Sequence, residues 1–183
     1  NSLSVLVGDV LLASAFVSYI GCFNKRFRKE LMDKTFMPYL LGKIPQAGGG
    51  VPMSAATDPL KILTNEAEIA AWNNEMLPAD RVSIEHGAIV CNCARWPLMI
   101  DPQLQGIKWI RTRCEKEGLK IVRLGQRSLM QILSTGLENG TPVMLENIQL
   151  AIDAVLNPVV GRQTTKRGRN LFVKLGDKEV DYS

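Results

Sequence analysis

Two stretches of this sequence carry residue types at spacings that could do phosphate chemistry. The first, residues 95–110, reads RWPLMIDPQLQGIKWI. A phosphate-cradling loop has the pattern G-x-x-x-x-G-K-[ST] between a strand and a helix. Its glycines let the backbone wrap the anion, its lysine reaches the β- and γ-phosphates, and its hydroxyl binds magnesium. Laid over that pattern, the first glycine is Asp101, the second survives as Gly106, the lysine is Ile107 and the hydroxyl is Lys108. The Asp101 carboxylate would repel phosphate. Lys108, one residue further along a helix, points about 100° away from the lysine position. The architecture of a phosphate loop is kept and its chemistry is lost.

The second stretch, residues 141–147, reads TPVMLEN. It is an apolar run ending in acid and amide, where a hydrolysing ATPase carries Asp then Glu after four apolar residues. Glu146 takes the metal-organising position and Asn147 the general-base position. An amide cannot accept a proton from attacking water at neutral pH. Two independently degraded sites in the right order say more than either alone. No catalytic residue is expected here.

The elements that would position these residues follow from pattern. Trp96 to Ile100 reads as a short strand buried on both faces, ended by Asp101-Pro102 because proline offers no ladder donor. From Gln103, Leu104, Ile107 and Ile110, with Trp109 beside them, have helical spacing, and Gly118 closes that helix. Residues 119–124 alternate as a strand. Residues 127–138 form a helix with Leu129, Ile132, Leu133 and Leu137 inward, stopped at Asn139-Gly140, and the acidic strand follows. Strand and helix alternate at crossover lengths, which predicts an α/β fold with a mostly parallel sheet flanked by helices.

Upstream, residues 3–23 are the one candidate membrane span. Gly8, Asp9, Ser14 and Ser18 interrupt it, and its clean run is only about half of a ~20-residue span. A helix buried between protein layers is the expectation, with Lys25, Arg26, Arg28 and Lys29 as an exposed turn after it. No basic n-region precedes it, which argues against a signal peptide. A second helix spans 24–40, with Phe27, Leu31 and Met32 inward and Pro38 kinking or ending it. Residues 42–56, with Gly48-Gly49-Gly50 and two prolines, have the composition of a flexible loop. Asn65 caps a short helix with Glu68 completing the box and Ile69 and Trp72 inward. Leu77-Pro78-Ala79-Asp80 is a turn, and Ser83 is expected to cap the next helix. Downstream, residues 148–160 are helical or irregular, with Pro158 breaking them. Lys166, Arg167 and Arg169 around Gly168 form a basic patch without aromatic interleaving, read as a solvated turn. Residues 171–182 read as a β-hairpin turning at Gly176-Asp177.

Composition bounds the rest. The 183 residues are 46% hydrophobic and 22% charged, ordinary for a globular domain, and the net charge of +4 is too mild to argue for nucleic acid. The four cysteines (Cys22, Cys91, Cys93, Cys114) have no disulfide-framework spacing, and reduced thiols are expected. Cys91-x-Cys93 with the single histidine, His86, is too few ligands for zinc, so no metal is expected. His86, with no paired nucleophile in a recognisable motif, reads as structural.

Taken together, GDVLLASAFVSYIG at 8–21, WNNEMLP at 72–78, RWPLMIDPQLQGIKWI at 95–110, ENIQLAIDAVLNPVVGR at 146–162 and LGDKEVDY at 175–182 resemble a dynein heavy chain. The resemblance is to the axonemal type, and to the fifth AAA+ module of its motor ring, just after the stalk returns. It leaves out only the glycine-rich loop, and QLQGIKWI and WNNE lean towards outer-arm chains. The resemblance implies a helical lead-in from the stalk side over 1–45, a flexible loop over 46–60 and an AAA+ large subdomain over 61–183, without the small lid. It implies a non-catalytic structural module that binds no nucleotide or metal. The parent would be an ATP-driven, minus-end-directed microtubule motor of cilia and flagella, with ATP and Mg in other modules. Its partners would be neighbouring AAA+ modules, microtubules and intermediate and light chains, with no nucleic acid and no membrane. The enzyme-class alternative is a P-loop NTPase or kinase with an atypical loop. A membrane-anchored module using 3–23 is the third reading.

Overall fold

The computed structural model describes residues 2–42, 44, 50–54 and 57–183. The expected flexible loop lies largely outside the described residues, Gly48 and Gly49 included. The chain divides into two compact units, one running to Gly106 and the other Ile107–Ser183.

The first unit is helical. α1 (Ser2–Tyr19) is apolar on nearly every side, and it buries Leu12 and Phe16 one turn apart, with Ile20 buried just past its end. These side chains form a core with Met32 and Leu40, joined by Met53, Leu63 and Ile89. No helix among the described residues is long and apolar enough to cross a membrane. Asp9, an interruption in the sequence pattern, is a tether: its carboxylate accepts the Ser54 N–H at 2.9 Å, the Ser54 hydroxyl at 2.6 Å and the Thr57 hydroxyl at 3.0 Å.

Asn24 caps α2 (Lys25–Leu31) through the Phe27 N–H. Met32–Phe36 is one π-helical segment, and α3 (Met37–Gly42) continues from it. Pro38 therefore does not end the helix. The Met37 N–H reaches the carbonyl of Met32, five residues back, and this wider turn takes up the proline that an α-helical ladder would reject. Two orientations on α2 also differ from expectation: Phe27 is exposed, whereas Arg28 is buried, for a reason given below.

α4 (Pro59–Leu63) is capped by Asp58. α5 (Glu66–Asn74) has the expected reciprocal box, Glu68 N–H to Asn65 Oδ1 at 3.0 Å and Asn65 N–H to Glu68 Oε2 at 3.1 Å, and Trp72 is buried. α6 (Arg81–Asn92) starts before Ser83. Asp80 is the cap, accepting both Val82 and Ser83 N–H groups, and the Ser83 hydroxyl itself donates to that carboxylate. A carboxylate at the positive helix end outcompetes a hydroxyl two residues inside it.

The expected strand at Trp96 to Ile100 is not formed. The segment is irregular, no strand among the described residues pairs with it, and Leu98 and Ile100 are 72% and 90% exposed. Pro97 lies inside the run and removes a ladder donor, which length and hydropathy do not reveal.

The second unit is α/β. After α7 (Gln105–Arg113), β1 (Lys120–Arg123) and β2 (Val143–Glu146) are parallel, with Arg123 opposite Glu146, and α8 (Leu129–Asn139) crosses between them. Gly140 ends α8 at φ +65°, the left-handed turn that favours glycine. A one-turn 3-10 helix (Ala154–Leu156) leads into α9 (Asn157–Val160), where Pro158 stands in the first turn. There its missing N–H costs nothing, so it starts the helix and does not break it. β3 (Thr164–Arg167), β4 (Asn170–Leu175) and β5 (Lys178–Asp181) make an antiparallel sheet in that order. The expected β4–β5 hairpin forms, and the basic stretch read as a turn supplies its third strand. The unit's core is Val122, Leu129, Leu133, Leu156, Val173, Leu175 and Val180.

Candidate functional site

Asp101 and Gly106 belong to the first unit, and Ile107, Lys108, Glu146 and Asn147 to the second. Leu104 turns the chain at φ +57° and donates its N–H to the Asp101 carbonyl at 3.2 Å. α7 (Gln105–Arg113) begins immediately after, and the Gln105 N–H donates to Asp101 Oδ1 at 3.0 Å. A Cβ on Gly106 would lie 3.3 Å from Asp101 Oδ2 and 3.2 Å from Met99 Sδ, so glycine gives the loop room to fold onto the helix end. Amides at a helix N-terminus are the groups that hold phosphate in a working loop. Here a side-chain carboxylate of the same loop already occupies one of them. Further along α7, Ile107 is half-buried, Lys108 is exposed and Trp109 is buried.

At the carboxyl end of the parallel pair, Glu146 accepts from Arg111 Nη2 at 2.9 Å and from Arg123 Nε at 3.4 Å. A carboxylate that organises a metal must offer its oxygens to the cation. Both oxygens of Glu146 are instead held by guanidinium groups. Asn147 follows at φ +57°, exposed and outside the strand; asparagine tolerates that conformation better than most residues. Sequence reasoning missed both arginines. Arg123 had a faint signal, since each strand ends in a charge of opposite sign and the register aligns them. Arg111 had none.

Sequence reasoning also missed a polar cluster in the first unit. Arg28 and Glu85 are 5% and 8% exposed and pair at 2.8 Å. Arg28 also donates to the Phe23 carbonyl at 2.6 Å and the Gly21 carbonyl at 3.0 Å, and a guanidinium nitrogen meets His86 Nε2. The other oxygen of Glu85 accepts from Arg81 Nε at 2.8 Å, and Arg81 grips Asp58 through two bonds of 2.8 Å. The Arg81 fork holds the Asp58 carboxyl below the usual carboxylate value. Burial, then the facing Arg28 cation, push the His86 imidazole below its ordinary value. Cys93 Sγ, just past α6, is turned onto the Arg95 carbonyl at 3.1 Å.

A parallel strand–helix–strand unit followed by an antiparallel three-stranded sheet is an arrangement of the AAA+ kind. The comparisons with known proteins specify it further. A family described as "ATP-binding dynein motor region" matches residues 70–183, and one described as "Microtubule-binding stalk of dynein motor" matches residues 2–40. The chain belongs to the dynein motor family. It is 48% identical over 178 residues to human "Dynein axonemal heavy chain 9". It is 49% identical over 178 residues to "Dynein beta chain, ciliary" of Heliocidaris crassispina, and 49% over 177 residues to "Dynein beta chain, flagellar outer arm" of Chlamydomonas reinhardtii. Each match covers 97% of this chain but only 4% of the relative.

Proposed function

We propose that these 183 residues are a non-catalytic, force-transmitting AAA+ module of an axonemal dynein heavy chain, the fifth of its motor ring. The observation that carries this reading is the Asp101 carboxylate on the α7 amide, in the place an anionic ligand would take. Ile107 where the lysine belongs, Glu146 held by two arginines and Asn147 in the base position support it. The parent is then a minus-end-directed microtubule motor of the ciliary or flagellar axoneme, with ATP and Mg bound in other modules. Its contacts are neighbouring ring modules, microtubules through the stalk, and intermediate and light chains, without nucleic acid or membrane. Residues 1–45 form the lead-in from the stalk and 61–183 the large subdomain.

The matched family is described as ATP-binding, which favours a second reading, a nucleotide-binding module with an atypical loop. Photoaffinity labelling of the parent heavy chain with azido-ATP, followed by peptide mapping, separates the two. The structural reading expects no labelled peptide within residues 95–150. Nucleotide-protectable label on the peptide that contains Asp101 would establish the second reading.

A further inference from the structure

The chain of ion pairs in the first unit joins parts of the molecule that the two family matches keep apart. Arg28 stands on α2, inside the stretch matched to the dynein stalk; Glu85 and Arg81 stand on α6, inside the stretch matched to the motor region. Asp58, the cap of α4, lies in neither matched stretch.

Each residue in the chain has two or more anchors. Arg28 holds the carbonyls of Gly21 and Phe23, so it closes the corner between α1 and α2 as well as reaching α6. Glu85 gives one oxygen to Arg28 and the other to Arg81. Arg81 spends its fork on both oxygens of Asp58. Among the described residues, no buried side-chain polar atom lacks a partner. Such satisfaction matters because removing two charges from water costs several kcal/mol per ion, so a buried pair adds little net stability over an apolar pair of similar volume. What it adds is directional: a bidentate guanidinium accepts only one register of its carboxylate, whereas apolar side chains slide past one another at small cost. Phe16, Met32 and Met37, which line the same cavity as these four residues, supply that apolar packing.

We propose that Arg28, Glu85, Arg81 and Asp58 form a registration latch, which makes the α1–α2 corner and α6 move as one body. A displacement of the stalk-matched helices is thereby passed to α6, the helix that leads into residues 95–104. This inference does not depend on whether the module binds nucleotide.

The test uses the heavy-chain motor domain that carries this chain, compared with a double variant, Arg28→Met with Glu85→Leu. Hydrogen–deuterium exchange is read at residues 25–31 and 81–92, and the thermal midpoint is measured alongside. A latch predicts an unchanged midpoint with exchange in both helices faster by about tenfold, because register is lost while packing is kept. Unchanged exchange at an unchanged midpoint would overturn it. So would a lowered midpoint with uniformly faster exchange, since the pairs would then serve global stability alone. Should the double variant not fold, Arg28→Lys decides, because it keeps the charge and loses the fork. Faster exchange in both residues 25–31 and 81–92 supports the latch, and wild-type exchange in either helix rejects it.

Discussion

Asp101 Oδ1 accepts the N–H of Gln105 at 3.0 Å, so the loop leading into α7 supplies its own anion to the helix end. In a working phosphate loop that amide is left for the ligand. Here nucleotide would have to displace a covalently tethered carboxylate, and no lysine stands at position 107 to compensate.

Restoring nucleotide binding should therefore need several changes at once. Asp101→Gly alone frees the amide but supplies no charge, and Ile107→Lys alone adds a cation while the carboxylate stays in place. Asp101→Gly with Ile107→Lys and Lys108→Thr rebuilds the cradle, the charge and the metal hydroxyl together. Fluorescent-nucleotide titration should find binding in the triple variant only. Micromolar binding by either single variant would mean that the native loop is a marginally blocked site. Hydrolysis by the triple variant should stay near background, since Asn147 cannot act as base.

Glu146→Gln should lower stability without touching any ligand. The amide keeps the shape but leaves Arg111 and Arg123 without their carboxylate. Both arginines are more than half exposed, which limits the loss to about 1 kcal/mol. Urea denaturation should show a shifted midpoint with an unchanged slope.

The start of α6 separates two caps. Asp80→Ala should cost about 1 kcal/mol, and Ser83→Ala a small fraction of that, because the helix-end N–H groups bond to Asp80. Equal losses in thermal denaturation would return the cap to Ser83.

The pH dependence has a definite sign. The folded His86 binds its proton more weakly than the unfolded residue, whose ordinary value is 6.5. As pH falls through that value the unfolded chain takes up a proton that the folded chain refuses, and stability drops until the lower folded value is reached. His86→Gln should flatten this part of the stability–pH curve. Asp9, Asp58 and Asp80 act at lower pH: their carboxyls are held below 3.8, so their contribution is present above that value and disappears as pH falls through the depressed values. A denaturation midpoint followed from pH 7.5 to 4 in the wild type and in His86→Gln checks the histidine part.

Local signals were the legible ones. The Asn65–Glu68 box, the glycine stop at Gly140 and the alternation that produced β1, α8 and β2 are short-range devices, and the structure has each of them. The six positions proposed as a degraded nucleotide site could be named from sequence because a phosphate loop is a linear pattern. Long-range partners were not readable. Nothing near Arg28 in sequence announces Glu85, 57 residues away, so the residue reads as one more exposed cation. Pro38 was read as kinking or ending a helix and Pro158 as breaking one, yet the first is absorbed by a π-helical turn and the second opens a helix; position within an element decides a proline's effect. The apolar run at Trp96 to Ile100 satisfied a strand's hydropathy, but Pro97 costs it a ladder donor.

The central claim, that this module has a carboxylate where nucleotide would bind, is tested most directly by calorimetric titration of the folded chain with Mg·ATP at millimolar nucleotide. The triple variant Asp101→Gly, Ile107→Lys, Lys108→Thr serves as the responsive control. The wild type should give dilution heats alone while the triple variant saturates. A saturable isotherm from the wild type would contradict the claim.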